Sequence, residues 1–223
     1  MSAVNTKAGA AKPRKRAVPR RRQPLATSRD ILDAATAEFA AKGLAGARVD
    51  AIARRAGINK RMLYHYYGNK EALWLAVLEE AYAAIRNEER MLDLGQLPPA
   101  EGMRRLVEFT VGYNSRHPEF AALLNSENVH RAAYLRRSKR MRELHTSLLG
   151  MIGDLLERGA RQGVFRAGVD PAELYITCAA LGFFYYSNIH TLSVIFGRDL
   201  GTRGARRRHL EHCVGVVLDF LRP

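Results

Sequence analysis

Cysteine is nearly missing from this chain: there are two, Cys178 and Cys213, in 223 residues. They form no CxxC pair and no metal-ligand spacing, so a disulfide framework, a redox motif and a thiolate zinc site are not expected, and a reducing cytosol suits the chain best. Histidine does not fill the gap. His117, His130 and His145 stand far apart, and His209 and His212 at i, i+3 have no carboxylate at a convincing spacing, so no metal is expected. Also missing are a phosphate loop, a nucleophile elbow and a paired His-Glu metal motif. No cofactor and no enzymatic activity are expected. The longest apolar tract, Leu174 to Phe196, is interrupted by Asn188 and His190 and suits a buried helix better than a membrane span. The N-terminal charges are followed by no apolar segment, so they are not a secretory signal. Sustained strand alternation and internal repeats are absent too.

Acidic residues are missing from one end. Residues 1–29 carry nine Lys or Arg and no Asp or Glu, and residues 30–70 carry seven basic against four acidic. Most of the formal charge of +14 therefore sits in the first 70 residues, and the remainder is close to balanced. A cationic end calls for a polyanion, nucleic acid or an anionic membrane surface. Residues 1–27, with the run Lys12 to Arg22, have too few large apolar side chains to fold alone. They are expected to be a disordered basic arm, either a solvated tail or one that follows phosphates or enters the minor groove.

What is present is helical periodicity. From Ser28, the residues Ile31, Leu32, Ala35, Phe39 and Ala40 recur at helical spacing up to Gly43. Helices are expected at about 49–56 and 60–67, and a fourth from Lys70 to about Met91, with a long apolar stripe and a charged outer face from Arg86 to Arg90. Further helices are read at about 100–115, after Pro118, and at about 134–162, 170–196 and 206–221. The fold expected is all-α, with about nine helices. Residues 28–72 would form a three-helix domain, and residues 73–223 a larger helical domain.

The stretch Asp50 to Lys70, DAIARRAGINKRMLYHYYGNK, reads as two short helices joined by a tight turn. Ile52, Ala53, Ala56, Ile58, Leu63 and Tyr67 can form a small core. Gly57 sits where the chain leaves the first helix, and Asn59 is placed to cap the second. Lys60, Arg61, Met62, Tyr64, His65 and Tyr66 are left to project outward. That is how a helix-turn-helix presents a recognition helix to the major groove, and it favours double-stranded DNA over a membrane. Arg61 could read a guanine edge or lie along the phosphates.

Residues 28–78 resemble the DNA-binding domain of the tetracycline-repressor (TetR) family of bacterial transcriptional regulators. The match is carried by AATAEFAAKG at 34–43, DAIARRAGI at 50–58 and LYHYYGNKEAL at 63–73. The resemblance implies a homodimer, one ligand-binding domain per chain, and repression relieved by a small molecule. It implies DNA contacts by Tyr64, Tyr66 and Lys70, the last at the start of the fourth helix. The chain departs from the family at Arg48, where a capping Thr is usual, and at Arg61 and Met62, where small residues are usual. Arg48 can still reach phosphate. Arg48, Asn59, Lys60, Arg61, Met62, Tyr64, His65, Tyr66 and Lys70 make up the expected DNA-binding set.

In the larger domain, Tyr113, Asn125, Asn128, Tyr134 and His145 are candidates for the effector site, each with an alternative in plain packing or capping. Arg131, were it to face a cavity, would favour a carboxylate; a carboxylate or aromatic effector is the expectation. The segment 170–196 is apolar nearly all round, which suggests one face on the core and the other at a subunit interface. The last helix, with Leu210, Cys213, Val214, Val217 and Leu221, is its expected companion in an isologous four-helix interface. The expected function is a ligand-responsive repressor of bacterial cytoplasm, associated with the nucleoid. The alternative is a sequence-nonspecific architectural DNA binder driven by the arm.

Overall fold

The computed structural model describes residues 24–223, and every regular element among them is helical. Ten α-helices follow one another: α1 Pro24–Gly46, α2 Val49–Arg55, α3 Lys60–Tyr67, α4 Lys70–Arg90, α5 Pro99–Arg116, α6 Pro118–Val129, α7 Lys139–Arg161, α8 Pro171–Ser187, α9 Ile189–Ile195 and α10 Arg203–Leu221. None is long and apolar enough to cross a membrane.

Several boundaries move for identifiable reasons. Residues 24–27, expected in the arm, make the first turn of α1; the rest of the arm lies outside the described residues. The helix expected from 134 starts at Lys139, because the Ser138 hydroxyl accepts from Met141 N at 3.2 Å and caps it, behind a single 3-10 turn at Leu135–Arg137. The segment 170–196 divides at Asn188, whose amide donates back to the Phe184 carbonyl at 2.9 Å. A side chain that bonds its own backbone in this way competes with continued helix. The division accounts for the helix beyond the nine expected.

Two cores organise the helices. In the first, Ile31, Ala35 and Phe39 of α1 meet Val49, Ile52 and Ala53 of α2, Leu63 of α3, and Leu73, Trp74, Val77 and Leu78 of α4. The Phe39 and Trp74 rings meet edge to face at 5.1 Å. In the second, α5 (Met103, Leu106, Val107, Val111), α7 (Leu148, Ile152, Leu155, Leu156), α8 (Leu174, Cys178) and α10 (Cys213, Val214, Val217, Leu221) converge. The crossing of α8 on α5 depends on Gly182, where a Cβ would stand 2.8 Å from the Val111 backbone; only hydrogen allows so close an approach.

The cores are joined through α4 and α6. Leu123 of α6 belongs to the first core. Beside it, the carboxylate of Glu127, 2 % exposed, accepts from Trp74 Nε1 at 2.8 Å and from the amides of Tyr134 and Leu135 at 2.9 Å each. Each oxygen of this buried carboxyl group faces a donor, as burial of a polar group requires.

Candidate nucleic-acid interface

The local sequence builds α2 and α3 as a rigid corner. Ala56 ends α2, Gly57 takes φ 66°, and Ile58 N bonds back to Ala53 O at 3.0 Å. A left-handed φ at this point is a glycine conformation, and it turns the chain at once. The Asn59 side chain then accepts from Met62 N at 2.8 Å and caps α3. Leu63, fully buried, anchors α3 to the core, and the half-buried Tyr67 exchanges a 2.9 Å hydrogen bond with Ser28 of α1. With one face anchored, the helical period sends Lys60, Arg61, Tyr64 and His65 outward, where all are exposed.

The expected DNA-binding residues share this surface, with differences in freedom. Tyr66 is half-buried and packs against the core, its ring 5.9 Å from His65. Lys60 pairs with Asp50 at 3.2 Å, and that carboxylate holds the lysine's pKa above its ordinary value. A phosphate meeting Lys60 would compete with Asp50 for it. Asn59 spends its oxygen on the cap, leaving its amide N–H groups for a ligand. Arg48 is exposed and makes no side-chain cap on α2. Its backbone N–H donates instead to Glu38 at 3.2 Å, and Glu38 also holds Lys42 at 2.7 Å. Lys70 opens α4 and donates to the Ala45 carbonyl at 3.3 Å, while Asn69 caps α4 through Ala72 N at 2.7 Å. Lys70 and the free amides at this helix end are groups of the kind that hold an anion.

The four candidate effector residues whose side chains are described do not converge. Tyr113 lies in an aromatic cluster with Phe109 and Phe120, stacked on His117 at 4.3 Å; burial pushes its phenol up to about 12. Tyr134 packs against the first core. Asn128 is exposed and bonded to Leu124 O. Asn125 lines a cavity of about 440 Å³ with Asn114, Tyr186 and Arg206. The side chain of His145 lies outside the described residues.

The polar pair that does enter the interior comes from the stretch of α4 expected to face solvent. Arg86 and Glu89 are 3 % and 1 % exposed and 3.1 Å apart, and they line a cavity of about 260 Å³ beneath α7. The apolar stripe Leu78, Tyr82, Ile85 continues at its own spacing to Arg86 and Glu89, so the helical period contained the signal. Charge type hid it. The dimer expectation shifts as well. Val217 is 1 % exposed, in its own chain's core, because α10 lays Cys213, Val214, Val217 and Leu221 on α5 and α8. The outward stripe is Val216 and Phe220, and on α8 it is Ile176 and Phe184.

Comparison with known proteins identifies the family of the chain. Residues 31–77 match the family model described as bacterial regulatory proteins, tetR family, and residues 99–217 match the tetracyclin repressor-like C-terminal domain. The HTH-type transcriptional repressor NicS of Pseudomonas putida is 36% identical over 196 residues, 88% of this chain and 92% of that protein. The HTH-type transcriptional repressor SCO4008 of Streptomyces coelicolor is 32% identical over 83% of this chain and 92% of its own length. In three dimensions, the putative transcriptional regulator SCO4942 from Streptomyces coelicolor superposes with a TM-score of 0.67 at 23% identity, covering 88% of this chain and 99% of that one.

Proposed function

The chain belongs to the TetR family of bacterial transcriptional regulators, and from that premise we propose that it is a homodimeric repressor released from a palindromic operator by a small-molecule effector. The observation that carries the reading is α4. Its first residue, Lys70, stands beside the recognition helix, and its last turns hold Arg86 and Glu89 against the cavity beneath α7. At 1.5 Å per residue, its 21 residues reach about 30 Å. A ligand that favours another setting of the inner end carries the outer end with it. Glu127, clasping Trp74, ties the same helix to α6. The effector weakens DNA binding only by its preference for one setting: a tenfold preference is worth about 1.4 kcal/mol.

The DNA-binding surface is Arg48, Asn59, Lys60, Arg61, Met62, Tyr64, His65 and Lys70, with Tyr66 at its edge. Two such surfaces, spaced by a dimer across the exposed apolar stripes of α8 and α10, would meet two half-sites on one face of a duplex. Exposed apolar stripes of this kind on adjacent helices mark an interaction surface.

The test is competition between a selected palindrome and random duplex. Lys60→Ala and Tyr64→Ala should remove operator binding with the helical circular dichroism unchanged. Arg61→Ala should relax preference at one base position by about 1–3 kcal/mol. Full affinity and selectivity in all three variants would sink the assignment, and equal affinity of the parent chain for both duplexes would favour architectural binding. Deleting residues 1–23 should weaken binding to both duplexes and lower the log–log salt slope by roughly 0.9 for each phosphate the arm neutralises. An unchanged slope would leave the arm no part in binding.

A further inference from the structure

The Arg86–Glu89 pair holds buried polar capacity that the described residues do not use up. Arg86 lies in the last turns of α4, its Nη2 donating to Tyr175 Oη of α8 at 2.8 Å and its guanidinium 5.3 Å from that tyrosine's ring. Its Nη1 and Nε, and both carboxylate oxygens of Glu89, have no hydrogen-bond partner among the described residues; Nε and Oε2 approach to 3.1 Å without hydrogen-bond alignment. Buried polar groups in folded proteins are nearly always bonded, and each exception calls for a reason. Here the unbonded atoms belong to two residues that line one cavity, across from Arg140, Glu143, Ser147 and Met151 of α7. Leu144 and Leu148 supply an apolar wall.

The geometry points to this cavity as the effector site, and to a small cyclic amide as its occupant: the ring carbonyl accepts from Arg86 and the adjacent N–H donates to Glu89. This rests on the reading of the chain as a ligand-released regulator. Two adjacent groups, one with spare donors and one with spare lone pairs, match a ligand edge that offers an acceptor next to a donor. A cis-amide has that edge and is uncharged. Arg86 and Glu89 already offset each other's charge, and the other charged residues of the lining, Arg90, Arg140 and Glu143, are exposed, so a neutral ligand on the buried pair completes the bonding without bringing a further ion into the interior. At about 260 Å³ the cavity lies just under the roughly 300–1,000 Å³ of ordinary ligand pockets, which suits one substituted ring.

The experiment is calorimetric titration of the full chain with 2-piperidone, N-methyl-2-piperidone and L-alanine. The first is expected to bind. The second, which lacks the donor, should bind at least tenfold more weakly, and the zwitterion not at all. Arg86→Met/Glu89→Leu, which replaces the pair with apolar side chains, should lose 2-piperidone binding. So should Met151→Trp, which fills the cavity and leaves the pair in place. The proposal is overturned if 2-piperidone fails to bind, if the N-methyl compound binds equally, if L-alanine binds in preference, or if binding survives in both variants. Operator affinity with and without 2-piperidone separates the two levels. Specific binding that leaves operator affinity unchanged keeps the site and removes the effector role. Absence of binding with operator recognition intact removes the site and keeps the DNA-binding reading.

Discussion

Glutamate in place of Phe184 should leave the chain folded, monomeric and weak on its operator by about 10²–10⁴-fold. Phe184 is 60 % exposed on its own chain, so its replacement opens no cavity. Its neighbours in the outward stripe, Ile176 on α8 and Val216 and Phe220 on α10, are exposed as well. In an isologous dimer each face meets its own copy near the axis, so one substitution brings two carboxylates into the interface. Each ion withdrawn from water without a partner costs several kcal/mol. The affinity loss follows because binding at the second half-site becomes bimolecular once the chains separate, and joining two modules is worth about that factor. Sedimentation velocity and operator titration of Phe184→Glu are the measurements. A Phe184→Glu protein that remains dimeric would move the interface off α8 and α10, with Val194, Ile195 and Phe196 at the end of α9, all exposed, as the next surface. Val217→Glu is no substitute for this test. Its carboxylate would enter the chain's own core beside Cys213 and Leu221 and report on folding.

The contrast between Phe184 and Val217 marks where the sequence is legible. In α3, buried and exposed residues differ in type, Leu63 against Lys60, Arg61 and Tyr64, so helical period and residue chemistry agree and the outward-facing surface can be read directly. Turn residues are equally informative: Gly57 with positive φ, and the caps at Asn59, Asn69 and Asp170, stand where the residue types place them. On α8 and α10 both faces are apolar. Which stripe meets its own core depends on the rotation of the helix against α5, and that is set by tertiary contacts such as Gly182 on Val111. In the interior of the larger domain, residue type alone favours Tyr113, Asn128 and Tyr134. Those three are absorbed by an aromatic cluster, a local hydrogen bond and the first core. Arg86 and Glu89 are hidden in the sequence by their charge, although their positions follow the buried stripe of α4.

That buried pair carries the second large effect. Arg86→Met alone should destabilise the chain by about 3–5 kcal/mol above neutral pH, whereas Arg86→Met/Glu89→Leu should match the parent or exceed it by about 1–4 kcal/mol. Removing the cation strands a carboxylate that is 1 % exposed; removing both charges strands no ion and leaves only the neutral Tyr175 hydroxyl without its partner. The pH dependence distinguishes this from simple loss of packing. Burial raises the Glu89 carboxyl from 4.5 to about 7, with Arg86 opposing the rise and Glu88 adding to it. A carboxyl whose folded pKa lies above its unfolded value binds more protons in the native state. Between pH 4.5 and 7 its contribution to stability therefore falls as pH rises, by about 3 kcal/mol in total. The double variant lacks this slope. In Arg86→Met the opposing cation is gone, so the carboxyl rises further, and the variant's cost should be largest near pH 8. It should shrink by pH 5, where Glu89 takes up a proton. Urea unfolding of the three proteins at pH 5 and pH 8 reads all of these differences. A cost for Arg86→Met that is the same at both pH values, or a double variant as unstable as the single one, would show that the pair is held for packing. Stability recovered by removing both charges would show that the fold keeps them at a cost, as expected of groups retained for a ligand.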